Sequence, residues 1–167
     1  MEGRWASTPV CPYGEHHLAD AGVEAHLLEH GAQAGVDLRA LAAGRDAIAL
    51  AEELSHPYSL TISLAYGAIT FQMCGAADDL RSAVARLAEL CERYEFVYYR
   101  EWGEILGGWQ RGDAAGLSTA RRGIDRLRAR QALIRMPYWH GLVAELLTRE
   151  GQVEAACSTL DAAVVDG

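Results

Sequence analysis

The chain has 167 residues and no lysine: all 15 of its basic residues are arginine. A phosphate loop of the G-x-x-x-x-G-K-[ST] kind needs that lysine, so nucleotide hydrolysis through such a loop is excluded. The four cysteines, Cys11, Cys74, Cys91 and Cys157, form no C-x-x-C pair and have no zinc-ligand spacing. Cys74, Cys91 and Cys157 fall on apolar positions of helical patterns, which predicts buried free thiols in a reducing compartment. Residues Met1 to Pro12 contain Glu2, Arg4 and two prolines and no apolar core, so they do not read as a secretory signal. No run approaches the ~18 uncharged apolar residues expected of a membrane span. These absences predict a cytoplasmic protein with no membrane partner. Strict apolar–polar alternation is also missing, so no strand is expected.

What remains is a composition that folds. Half of the residues are hydrophobic and the length suits one domain. The net charge of −8 argues against nucleic acid as the main partner.

Internal repetition is the main signal. Pro57-Tyr58, Val97-Tyr98 and Pro137-Tyr138 recur at an offset of 40 residues, and then 40 again. Proline suits the first turn of a helix, where its missing N–H is not needed, and it pushes the preceding residue out of helical geometry. Each junction therefore ends one helix and opens another with an aromatic residue in its first turn. Gly75, Gly112 and Gly151 mark a second break within each period. Apolar residues follow at helical spacing, as in Leu80, Val84, Leu87, Cys91 and Tyr94.

The pattern predicts eight helices, near 15–30, 37–54, 58–74, 78–94, 97–110, 114–132, 138–149 and 152–165. Short connections make sequential helices antiparallel. The expected fold is all-α: a solenoid of about four antiparallel helical hairpins over residues 15–167, after an irregular segment 1–14.

The last repeat resembles the tetratricopeptide pattern. Ala144 and Leu147 precede Gly151, and Ala156, Leu160 and Ala163 follow it at +5, +9 and +12. Longer strings widen the likeness: Ala47 to Leu60, Gly108-Trp-Gln-Arg-Gly112, and Met136-Pro-Tyr-Trp-His-Gly-Leu-Val-Ala-Glu145. Over residues 37–165 the chain resembles the C-terminal helical-repeat arm of bacterial signalling proteins in which a cyclase-type or DNA-binding regulatory domain is joined to an ATPase. That resemblance implies a sensor or protein-docking arm, with a cyclase or ATPase signalling domain as its partner. The chain itself contains neither a cyclase nor an ATPase segment.

Several constellations bear on chemistry. His26-Leu-Leu-Glu-His30 matches the H-x-x-E-H zinc-hydrolase motif, in which two histidines share a helix face and Glu29 would act as base. A third ligand is not evident, so a zinc-dependent hydrolase is an alternative and an ordinary helix face is the expectation. His16-His17 adds little, because adjacent residues diverge around a helix. Arg111-Gly112-Asp113 reads as a turn, with Asp113 capping the next helix.

Residues 111–135 hold seven arginines against two aspartates, a balance of +5, whereas residues 1–60 hold three arginines against nine acidic residues, a balance of −6. An RNA-binding repeat using the arginine-rich helix 121–135 is a further alternative, and pairing with a second copy of the chain is another. The leading expectation is a non-catalytic interaction module without cofactor. Aromatic and arginine side chains would anchor a protein or peptide, with Tyr98, Tyr99, Arg100, Trp102, Tyr138, Trp139, Arg121, Arg122 and Arg128 as the candidate contact residues.

Overall fold

The computed structural model describes residues 23–165, with side chains described for residue 35 and for 37–163. Among these residues there are seven helices and no strand. They are α1 Val23–Glu53, α2 Pro57–Met73, α3 Ala77–Tyr94, α4 Val97–Arg111, α5 Ala114–Ala129, α6 Met136–Arg149 and α7 Val153–Val165. The segment 1–14 expected to be irregular lies outside the described residues. So do the side chains of His26, Glu29 and His30, whose backbone belongs to α1.

Six of the expected helices are found within a few residues of their anticipated bounds. The first two are not separate: α1 runs unbroken through Gly31 and Gly35. A glycine inside a helix costs about 1 kcal/mol relative to alanine, but it does not by itself turn the chain. Three pairs, α2–α3, α4–α5 and α6–α7, thus follow one long helix, where four hairpins were expected.

The breaks that do form have local causes. His56 caps α2, its ring accepting the Ser59 N–H at 3.2 Å, with Pro57 in the first turn. Asp113 caps α5 by accepting the Gly116 N–H at 2.7 Å, which is the turn role anticipated for it. Gly75, Gly112 and Gly151 take φ of 69°, 69° and 74°, the left-handed geometry that closes a helix end. The other end of the stack closes without glycine: Ser55, Glu95, Gln131 and Arg135 carry φ between 52° and 67° there.

The helices stack in two rows. Each helix packs on its neighbours in sequence, and α4 also touches both α2 and α6. Among the described residues the backbones of the odd-numbered helices stay apart, and α1 meets α3 only through side chains, as where Arg45 pairs with Asp79. The even row is therefore the tighter one, and clefts open between members of the odd row. The core runs continuously between the rows through Leu64, Phe71, Leu87, Trp102, Leu127 and Trp139.

The closest approach is α4 on α5. There a Cβ on Gly108 would lie 2.5 Å from the Gly116 carbonyl oxygen, and one on Gly123 would lie 2.6 Å from Ile105. Cys91 is free and buried, as expected, whereas Cys74 is free but only half-buried. Cys157 departs from that expectation, being disulfide-bonded.

Candidate functional site

The 40-residue recurrence places an aromatic residue in the first turn of each even-numbered helix: Tyr58 in α2, Tyr98 in α4 and Tyr138 in α6. Because the even helices touch, their rings meet. Tyr58 packs on Phe96 and Tyr99 with centroids 5.4 and 6.1 Å apart. Tyr98 and Tyr99 each pack on Trp102, at 5.3 and 5.5 Å. Trp102 reaches Trp139 at 5.3 Å, and Tyr138 lies 4.7 Å from Trp139. Most pairs are tilted or edge-to-face, the arrangement favoured by the ring quadrupoles. A connected chain of rings crosses the even row from α2 to α6.

Exposure varies along that chain. Trp102 and Trp139 are 1% and 0% exposed, so they form its floor. Both had been candidates for direct contact with a partner, and the structure puts them in the core instead. Tyr98, Tyr99 and Tyr138 are half-buried, while Tyr58 and Tyr66 are exposed at 47% and 45%. Burial raises the Tyr98 phenol above its usual range and, with Tyr58 hydrogen-bonded beside it, pushes Tyr99 up to about 12. These hydroxyls stay protonated at neutral pH and can donate hydrogen bonds. Tyr138 donates to Gln72 Oε1 at 2.8 Å, tying α6 to α2.

Arg135 completes the face. Its guanidinium carbon sits 4.8 Å from the Tyr66 ring centroid and 5.3 Å from that of Trp102, within cation–π range. Its Nε–H is buried and has no hydrogen-bond acceptor. Arg135 holds φ of 67° at the α5–α6 connection, and its side chain lies over the rings of the even row. An aromatic surface with phenolic donors and one stacked cation suits an extended peptide. It brings together no nucleophile and base, and no three His, Cys, Asp or Glu among the described residues are grouped to hold a metal ion.

The remaining candidates lie elsewhere. Arg100 is exposed on α4, with Nη2 3.8 Å from Glu101 Oε1, and lines a cleft with Glu92 and Glu95. Arg122 bonds Ser118 and Thr119 on its own helix, α5. Arg121 and Arg128 line a different cleft, between α5 and α7. Arg126 is held by Glu104 and by the fully buried Glu101, at 2.5 Å from the latter, across the α4–α5 seam. The arginines of 121–135 therefore do not share one face: they point toward α4, toward α7 and back onto the aromatic row.

Sequence reasoning missed Tyr66 and the placement of Arg135. Tyr66 lies two turns beyond Tyr58 on α2, a spacing that marks one helix face but does not say which neighbour the face meets. Among the described residues no helix is long and apolar enough to cross a membrane. No protein-family model, curated protein sequence or solved structure matches the chain.

Proposed function

We propose that the chain is a non-catalytic helical-repeat docking module that holds an extended protein segment against the aromatic face of α2, α4 and α6. The observation that carries this reading is the connected series of rings from Tyr58 to Tyr138, half-exposed above a buried Trp102–Trp139 floor. Rigid aromatic side chains lose little entropy on binding, and hot spots concentrate on Tyr, Trp and Arg. The half-exposed tyrosines would supply contact area, and the Arg135 guanidinium a charge-assisted donor for a carbonyl or carboxylate of the bound segment.

The finer assignment is a tetratricopeptide-like solenoid whose even row lines the groove. The 40-residue recurrence supports it, and so do the small residues Gly108, Gly116 and Ala120 at the α4–α5 seam. The sequence resemblance to regulator arms suggests a role in bacterial signalling, with a cyclase- or ATPase-linked protein as the partner to try first.

The test is selection from a displayed random-peptide library, followed by chemical-shift mapping of the strongest binder. The binder is expected to perturb Tyr58, Tyr66, Tyr98, Tyr99 and Arg135. Tyr66→Ala and Arg135→Ala are each expected to weaken it about tenfold or more, the scale of a hot-spot truncation. Binders that map to the odd row, or that are indifferent to both substitutions, would refute the reading.

A further inference from the structure

The charges of the even row are few, and all but one are matched. Helix α2 carries none: from Pro57 to Met73 there is no acidic, basic or histidine side chain. On α4 and α6 every carboxylate and guanidinium has an opposite charge within reach. Arg126 holds Glu101 and Glu104, and Arg100 lies 3.8 Å from Glu101. Arg111 pairs with Asp113, and Arg149 lies 3.7 Å from Glu145. The exception is Arg135, the N-cap of α6, which makes no ion pair among the described residues.

The surroundings of that lone cation ask for an anion. Its guanidinium lies over the Tyr66 and Trp102 rings, which offset part of its desolvation. A ring face accepts no strong hydrogen bond, however, and the buried Nε–H is left unmade, which costs free energy. One turn along α6, the indole N–H of the fully buried Trp139 also lacks an acceptor. The side chain of Arg135 is half-buried, so a ligand can reach it. Burial raises the Tyr98 phenol and the Arg135 charge partly offsets that rise, so a further protonated donor stands close by. The neighbouring surface is apolar. Tyr58, Ile62, Tyr66, Ile69 and Met73 follow one another at steps of 4, 4, 3 and 4, which puts them on one face of α2. Tyr58, Tyr66 and Met73 are exposed there, and the two isoleucines are half-buried. A charge pair made beside such a surface is stronger than one made in water.

We propose that the aromatic face selects an acidic segment: an Asp or Glu side chain of the bound peptide pairs with Arg135, and apolar residues flank it. This rests on the docking role proposed above and names the class of segment that the face takes. The carboxylate comes from a side chain and not from a chain end, because the rings continue on both sides of Arg135, from Tyr58 on α2 to Tyr138 on α6. A segment lying across it therefore runs on in both directions. The carboxylate accepts the Arg135 Nε–H and an Nη–H together, the forked geometry that a guanidinium offers and an ammonium does not. The net charge of −8 repels an acidic segment at long range, so the selection is made on contact and shows in the dissociation rate.

Random peptides displayed with both ends joined to the carrier, and selected on the whole chain, provide the probe. Binders are expected to share one acidic position among apolar neighbours. The strongest is then made with both ends blocked, once with its Asp or Glu and once with the matching amide, and titrated by calorimetry. The amide peptide is expected to bind the unaltered chain about tenfold more weakly, the worth of a charge-assisted hydrogen bond. Against Arg135→Gln the two peptides should bind within about twofold of each other, and Arg135→Lys, which keeps the charge without the fork, should fall between. Arg81→Gln, on α3, should behave as the unaltered chain. Binders that shift the Tyr66 and Tyr98 signals yet tolerate the amide would overturn the acidic selection and leave docking standing. Binders that shift neither would overturn docking itself. An amide peptide that regains full affinity when its C-terminus is freed would assign the carboxylate to a chain end. Displacement of the peptide by micromolar oligouridylate would assign the face to single-stranded RNA. Either of these last two results also overturns the proposal.

Discussion

Two glycines in the structure should respond oppositely to the same added methyl group. Gly108 sits where α4 crosses α5, and a Cβ there would lie 2.5 Å from the Gly116 carbonyl oxygen and 3.1 Å from the Ala120 nitrogen. Ordinary C···O contacts begin at about 3.3 Å, so the helices must part by close to 1 Å. Both obstructing atoms are backbone, and no side chain can rotate away. A gap of that size forfeits roughly a quarter to a half of the dispersion energy along the seam. Overpacking of this kind costs about 1–3 kcal/mol, and the upper end applies where backbone must move. The helix-propensity gain of alanine over glycine returns about 1 kcal/mol. Gly108→Ala is therefore expected to destabilise the fold by about 2 kcal/mol.

Gly141, inside α6, has nothing within 4 Å of its added Cβ. Gly141→Ala should keep the propensity gain alone and stabilise by roughly 0.5–1 kcal/mol. In a domain of this size the two variants should differ in Tm by about 5–12 °C. Urea unfolding followed by far-ultraviolet circular dichroism, with thermal melts beside it, measures both. Wild-type stability in Gly108→Ala, or equal destabilisation by the two changes, would refute the packing argument.

Other consequences can be measured with the same protein. At high pH the phenols of Tyr98, Tyr99 and Tyr138 are held neutral by burial, with Tyr99 up at about 12. A pKa raised on folding gives stability that is complete below the ordinary tyrosine value of about 10 and is lost as pH climbs toward the folded value, so alkaline melts should fall with late tyrosine absorbance changes. On the acid side Asp79, hydrogen-bonded to Arg45, and Asp113, hydrogen-bonded to the Gly116 N–H, titrate below the usual carboxylate value. Their contribution is present above that value and disappears as pH drops through the lower one, and Asp113→Ala should flatten the acid limb. Gln131 holds φ of 58° at the end of α5, so Gln131→Gly should relieve strain and raise stability by up to about 1 kcal/mol in the same urea assay. Cys91 is buried and its thiol is pushed up to about 11, so a disulfide-exchange reagent should label it only at the unfolding rate, with rapid labelling in the native state as the contrary result.

The sequence by itself determined where helices begin and end from Pro57 onward. The reason is that those signals act within one turn. A proline at the first helical position, a capping side chain such as Asp113, and a left-handed glycine at Gly75, Gly112 or Gly151 all close bonds between residues fewer than six apart. The same locality explains the error in α1. Gly31 and Gly35 weaken a helix without ending it, and no nearby residue decides the matter.

Only the tertiary structure decided what each helix face meets. Tyr98 and Trp102 are both on α4 and were indistinguishable as aromatic anchors, but Trp102 faces the Trp139 core and Tyr98 the rim. The arginines of α5 looked like one basic surface until Glu101 and Glu104 claimed Arg126 and the α7 cleft received Arg121 and Arg128. Arg45 on α1 and Asp79 on α3 form an ion pair although they are 34 residues apart. Charges so distant in sequence acquire a relation only when packing sets the distance between their helices, because an ion pair is a matter of a few ångströms and no local pattern encodes them.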